Sequence, residues 1–172
     1  MGVPQLPDKL ERLIETFEMF DPADRTSMLL SYADQFKEVP PAIATRPFPT
    51  SHQVPQCESD AYVWATRQPD GTLQLYFAVE NPSGVSAKAL AAILDKTLSG
   101  LPAAQIAAVG CDIVERIFRQ NISMGKGMGL MAMVNAVQAL AKAAMPGARG
   151  AQREGRESTA GDREITTSET SD

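Results

Sequence analysis

Ala61-Tyr62-Val63-Trp64-Ala65-Thr66-Arg67-Gln68-Pro69-Asp70-Gly71-Thr72-Leu73-Gln74-Leu75-Tyr76-Phe77-Ala78-Val79 reads as a β-hairpin. Two runs rich in strand-forming residues flank Gln68-Pro69-Asp70-Gly71, a strong turn in which proline pre-sets one dihedral and glycine takes a conformation closed to other residues. Two strands alone are marginal in water. A third is therefore expected, most simply the His52–Val54 segment or a short neighbour, with helices covering one face.

Upstream, Leu6, Leu10, Leu13, Ile14 and Phe17 recur at helical spacing, and Pro7 suits a first turn, so a helix is predicted over 7–20. Asp21 then caps a second helix with Pro22 at its first position and Met28, Leu29, Tyr32, Ala33 and Phe36 on its buried face. The two form a helical hairpin. Pro40, Pro41, Pro47 and Pro49 block both helix and central strand, which leaves residues 37–50 as an extended surface connection.

Downstream, Asn81-Pro82-Ser83-Gly84 turns the chain. Ser86 is expected to cap a helix with Leu90, Ile93, Leu94, Thr97 and Leu98 inward, ended by Gly100. A short helix begins at Pro102, a further one with Ile113, Val114, Ile117 and Phe118 carries Cys111, and Leu130 to Met145 is long and apolar. Helices, then strands, then helices define an α+β fold: a small antiparallel sheet packed against helices, with an N-terminal helical hairpin and a long C-terminal helix. This domain is expected over 1–145. In 146–172 Ile165 is the one large apolar residue, and four Arg stand against six Asp or Glu, the composition of a disordered polar tail.

A chain of 172 residues, 44% hydrophobic and 22% charged, suits one soluble domain with a real core. The net charge of −5 argues against a nucleic-acid surface, which needs clustered Lys and Arg. Two cysteines and one histidine, without metal-ligand spacing, predict no bound metal. The first residues lack the basic and apolar regions of a secretory signal, and no run approaches membrane length, so the expected location is cytoplasmic, with reduced thiols.

The chemistry points to Cys57. Gln56, Glu58, Ser59 and Asp60 surround it and Pro55 stiffens the approach, so the thiol is expected on a loop, at least partly reachable. Negative charge at Glu58 and Asp60 suits an acceptor thiol activated in a complex better than a standing nucleophile. His52 lies five residues earlier, and a Cys–His pair is one way to make a nucleophile, but an extended 52–56 segment keeps the two side chains apart. Cys111, among Val109, Ile113 and Val114, reads as core. Met124, Met128, Met131, Met133 and Met145 read as helix-packing side chains. Met124-Gly125-Lys126-Gly127-Met128-Gly129 looks like a phosphate-cradling loop before a helix, yet it lacks Gly-Lys-Ser/Thr and a preceding strand. It reads instead as a mobile connection from which Lys126 reaches towards Cys57 and favours an anionic thiol or persulfide.

Val54-Pro55-Gln56-Cys57-Glu58-Ser59-Asp60-Ala61-Tyr62-Val63, the hairpin, the helix with Leu90 to Leu94, Leu101-Pro102 to Ile106, and Gly129-Leu130-Met131-Ala132-Met133 together closely resemble the SufE family, over about residues 6–145. The resemblance implies an α+β sulfur acceptor: an accessory protein, not a stand-alone enzyme, that takes a persulfide from a SufS-like cysteine desulfurase onto one essential cysteine. It implies that the sulfur passes to iron–sulfur cluster assembly and its scaffold complex, that desulfurase turnover rises, and that pyridoxal phosphate belongs to the desulfurase, with no cofactor on this chain. Cys57 falls on the essential cysteine, and Ser59 and Tyr62 fall on the small polar and aromatic positions after it. Gln56 stands where the family commonly has Gly. Lys126 stands where it typically has Arg ahead of Gly129-Leu130, keeping the charge without the bidentate fork; Ser59, Lys126 and Gly129 form the supporting loop set. The residues themselves leave two other readings open: a thiol redox protein pairing Cys57 with Cys111, and a helical binding module with an incidental cysteine.

Overall fold

The computed structural model describes residues 5–147, so all but the first two residues of the expected tail lie outside the described residues. The hairpin forms in the predicted place. Strands β1 (Ala61–Arg67) and β2 (Thr72–Val79) pair antiparallel, with Ala61 opposite Val79 and Arg67 opposite Leu73. Gly71 takes φ +87°, and the Asp70 carboxylate accepts from Thr72 N at 3.0 Å and Thr72 Oγ1 at 2.6 Å, closing the turn.

The third strand is not His52–Val54. It is β3, Leu101–Pro102, antiparallel to Leu73 and Thr72 on the far edge of β2. Residues 50–52 wind into a single 3-10 turn, and Gln53 makes only an isolated bridge to Tyr62 before Pro55 diverts the chain. Pro102 offers no amide to a further strand, which suits an edge position.

Side chains of the sheet alternate between two cores. Val63, Leu75, Phe77 and Val79 face the helices, whereas Tyr62, Trp64 and Ala78 face the proline-rich connection, where Val39 and Phe48 are buried against them. That connection is thus more than the expected surface link, because it covers the sheet's second face and docks on it through Val39 N donating to Phe77 O at 2.8 Å.

Helices α1 (Asp8–Met19) and α2 (Pro22–Asp34) form the hairpin, with the Asp21 carboxylate accepting from Asp24 N at 2.8 Å. Of the residues assigned to α2's inner face, Leu29 is buried, the others are half-buried, and Phe36 lies beyond the helix end. Helix α3 (Val85–Leu98) is capped by Gly84, not Ser86, which lies inside its first turn. Helices α4 (Ala103–Ala107) and α5 (Ile113–Phe118) follow, and Cys111 sits in the turn before α5, half-buried against the core, not on the helix.

Helix α6 is longer than its apolar run, spanning Met124–Ala144, so the glycine-rich stretch is helix and not a mobile connection. Ser123 caps it, its hydroxyl accepting from Lys126 N at 3.4 Å. Each glycine costs a helix about 1 kcal/mol relative to alanine, and the tight packing described below offsets that cost. Among the described residues no helix is long and apolar enough to cross a membrane.

Arg116 ties α5 to α1 by donating from Nε to Glu18 at 2.8 Å, and this hydrogen bond, opposed by some desolvation, holds the Glu18 carboxyl below its ordinary value of 4.5. A carboxyl lowered on folding stabilises the fold above its unfolded pKa and loses that contribution as pH falls through the folded value. The pair is one-third exposed, so Glu18→Gln is expected to cost about 0.5 kcal/mol at about pH 7 and nothing at about pH 3, measured as urea midpoints. An equal loss at both pH values would contradict the assignment.

Candidate functional site

Cys57 lies on the loop between the 3-10 turn and β1, half-buried, with part of its surface packed on the main core. The polar neighbours that suggested a reachable thiol are present: Glu58 and Asp60 are exposed and Ser59 is half-buried. Two non-glycine residues bracket the cysteine in the left-handed region, Gln56 at φ 58° and Asp60 at φ 48°. Such conformations cost about 1–3 kcal/mol each and persist where surrounding contacts hold them.

Those contacts are specific. Asp60 N donates to Cys57 O at 3.2 Å, closing a turn that begins at the cysteine, and Glu80 N donates to Asp60 O at 3.1 Å. Gly129 packs directly beneath, because a Cβ there would stand 3.3 Å from both Cys57 Cα and Gln56 O. Gly84 is wedged in the same way, with a Cβ position 3.0 Å from Ser59 Cβ and 2.8 Å from Val79 Cγ1. Only glycine lets helix and loop approach this closely.

A cavity of about 140 Å³ opens beside the thiol, lined by Cys57, Glu58 and Ser59, by Asn81 and residues 83–87 at the start of α3, and by Gly125, Lys126, Gly129 and Leu130 of α6. Sites for drug-sized ligands run to about 300–1,000 Å³, so this one suits a few atoms, not a nucleotide-sized cofactor. The first turns of α3 and α6 both line it, and helix N-termini carry partial positive charge and amides with no intrahelical partner. Lys126 adds a full charge and, among the described residues, forms no ion pair. These helix ends and Lys126 favour a small anion, opposed by the Glu58 carboxylate on the same wall.

Among the described residues five large apolar side chains are exposed: Val85, 40% exposed, lines this cavity, and Met124 at 88% and Met128 at 49% are chain neighbours of the lining residues Gly125 and Gly129. The two methionines, expected from the sequence to pack inside, face solvent instead. Such an apolar rim is a mark of a surface that meets another macromolecule.

The structure therefore brings together Cys57, Ser59, Lys126 and Gly129. It keeps other candidate residues away. His52 stacks on Trp64 with ring centroids 5.4 Å apart and its Nδ1 lies 2.9 Å from Val63 O. Tyr62 is buried on the sheet's second face against Phe48, and burial raises its hydroxyl's pKa, helped by the charges of Glu80 and Asp60. Cys111 is not among the residues lining the Cys57 cavity, and no disulfide joins the two. Among the described residues no three His, Cys, Asp or Glu side chains gather as metal ligands. Sequence reasoning missed Asn81 and Gly84, visible only as turn formers in Asn81-Pro82-Ser83-Gly84.

Fold and site define an α+β domain with a sheltered loop cysteine facing an anion-favouring cleft. The sequence model of the SufE family, described as an Fe-S metabolism associated domain, matches residues 11–141, and the chain belongs to that family. Among solved structures it is similar to the solution structure of a hypothetical protein from Thermus thermophilus, at 25% identity and a TM-score of 0.65, over 81% of this chain and 98% of that one. No curated protein matches the chain significantly.

Proposed function

We propose that this protein is a sulfur acceptor, which takes a persulfide sulfur from a cysteine desulfurase onto Cys57 and passes it to iron–sulfur cluster assembly. The observation that carries the reading is the placement of a half-buried thiol in a cleft sized for a few atoms, between two helix N-termini and Lys126. The Cys57 thiolate attacks the outer sulfur of the partner's persulfide, the partner's S–S bond breaks, and its cysteine leaves as thiolate. The new terminal sulfur on Cys57 is an anion or is protonated by solvent, and the first turns of α3 and α6 with Lys126 favour the anion. The shelter also limits attack on the loaded sulfur by solvent reductants.

The partner supplies the persulfide and the pyridoxal phosphate that makes it; this chain supplies the receiving atom. Val85, Met124 and Met128 give the partner an apolar rim to cover. The working domain runs to about residue 145.

Adding the protein to a cysteine desulfurase and free cysteine is expected to raise sulfide release under reductant in a saturable manner. Unchanged turnover across the titration contradicts the proposal. Gly129→Val gives a second expected outcome, because its branches collide with the Cys57 and Gln56 backbone and push the loop off α6. Misplacing a reacting atom by about 1 Å costs on the order of 10²-fold in rate, so persulfide formation on Gly129→Val should fall by about that factor in protein that is still folded at the assay temperature, after an overpacking cost of about 1–3 kcal/mol. Wild-type transfer rates in this variant would show that the close approach has no role.

A further inference from the structure

Asn81 uses every polar group it has, on two different elements. Its backbone N–H donates to Ser59 O at 3.2 Å and its side-chain Nδ2 donates to Glu58 O at 3.4 Å, so both carbonyls following Cys57 are held. Its Oδ1 accepts from Ser83 N at 2.9 Å and its carbonyl from Gly84 N at 2.9 Å, which shapes the turn that starts α3. Asn81 also lines the cavity beside the thiol.

We infer that Asn81 is a positioning residue that latches the cysteine loop to the start of α3 and so sets how far the Cys57 thiol is sheltered in the free protein. The inference rests on Cys57 being the acceptor only for its role in transfer; the latch itself is a property of the unbound chain. Gln56 and Asp60 hold left-handed conformations that a free loop would relax. The bonds across Glu58, Ser59 and Asp60 oppose that relaxation, and those to Glu58 and Ser59 both come from Asn81. The side-chain bond to Glu58 O is the one a substitution can remove without touching the backbone. A partner that covers the mouth of the cavity meets Asn81 and the cysteine loop together, so the latch is placed to yield on docking.

Two variants separate the latch from the cap. Asn81→Ser keeps a hydroxyl able to accept from Ser83 N–H but cannot reach Glu58 O, and Asn81→Asp keeps Oδ1 but loses the donor. The readout is the rate of Cys57 alkylation by iodoacetamide in the free protein, with no desulfurase present, taken at its alkaline plateau so that thiol ionisation does not enter. One neutral hydrogen bond that is long, at 3.4 Å, and exposed sits at the low end of the net range and shifts an opening equilibrium by about two- to threefold. Both variants are therefore expected to alkylate about two- to threefold faster than wild type, with unchanged thermal midpoints, and Asn81→Gln, which restores a donor, is expected to return part of the way.

Wild-type rates in both Asn81→Ser and Asn81→Asp would overturn the inference. So would an acceleration matched by equal acceleration at Cys111, which signals general loosening. If the variants alkylate faster while no form of the protein receives sulfur from a desulfurase, the latch stands and the sulfur-acceptor reading fails.

Discussion

Cys57→Ala is expected to give no stimulation of desulfurase turnover at any concentration, and to compete with the wild-type protein for the desulfurase. The substitution removes one sulfur atom from a half-buried position, so it leaves little void and the loop contacts through the Asp60, Glu80 and Gly129 backbone remain. Val85, Met124 and Met128 are untouched, so the face offered to the partner is that of the wild type. What is lost is the one thiol among the residues that line the cleft, and a thiolate has no substitute in a transfer between sulfurs. The variant should therefore dock and block. Cys111→Ala, which alters a half-buried residue in a turn outside the cleft, should stimulate like wild type. Stimulation retained by Cys57→Ala and lost by Cys111→Ala would exchange the roles of the two thiols.

Arg25→Leu is expected to cost about 2–3 kcal/mol of global stability. Arg25 is 3% exposed, and its Nη2 donates to Phe17 O at 2.8 Å, a carbonyl in the last turn of α1, and to Phe20 O at 3.1 Å, just beyond the helix end. Hydrogen bonds from a charged donor are worth about 1.5–3 kcal/mol each. Two features hold the loss below the sum. Phe17 O keeps a second donor in Phe20 N at 3.2 Å, and Arg25 Nε is itself buried without a partner, a desolvation cost that leucine relieves. Urea unfolding reads the loss as a lower midpoint at unchanged slope, with Arg25→Lys intermediate. A change under about 0.5 kcal/mol would mean that α1 ends as firmly without the guanidinium.

Local patterns carried the parts of the fold that local physics decides. The runs rich in strand-forming residues and Pro69-Asp70-Gly71 located the hairpin, and Asp21-Pro22 located the break between α1 and α2, because a carboxylate cap and a proline at the first helical position act within one turn. β3 escaped because two residues carry no period, and only the free edge of β2 makes Leu101–Pro102 a strand. The start of α6 escaped for the opposite reason. Glycine's poor helix propensity argued for a loop, and the contact that favours helix, Gly129 against the backbone of Cys57, joins residues 72 positions apart.

Of the site, the thiol and its exposure were legible from polar neighbours, and the order of motifs tied them to one family. The contacts that hold the cysteine loop in its sheltered place were not. Asn81 reads as a turn residue, and its hold on Glu58 and Ser59 exists only once β2 has brought the two turns side by side. Met124 and Met128 read as packing side chains because apolar residues on helices usually are, and nothing local shows that no element covers them.

The most direct measurement of the central claim is the intact mass of the protein after incubation with a cysteine desulfurase and free cysteine, run for wild type, Cys57→Ala and Cys111→Ala. One added sulfur on wild type and Cys111→Ala, with none on Cys57→Ala, is the predicted result. Three unmodified proteins in the presence of an active desulfurase, or sulfur that persists on Cys57→Ala, would contradict it.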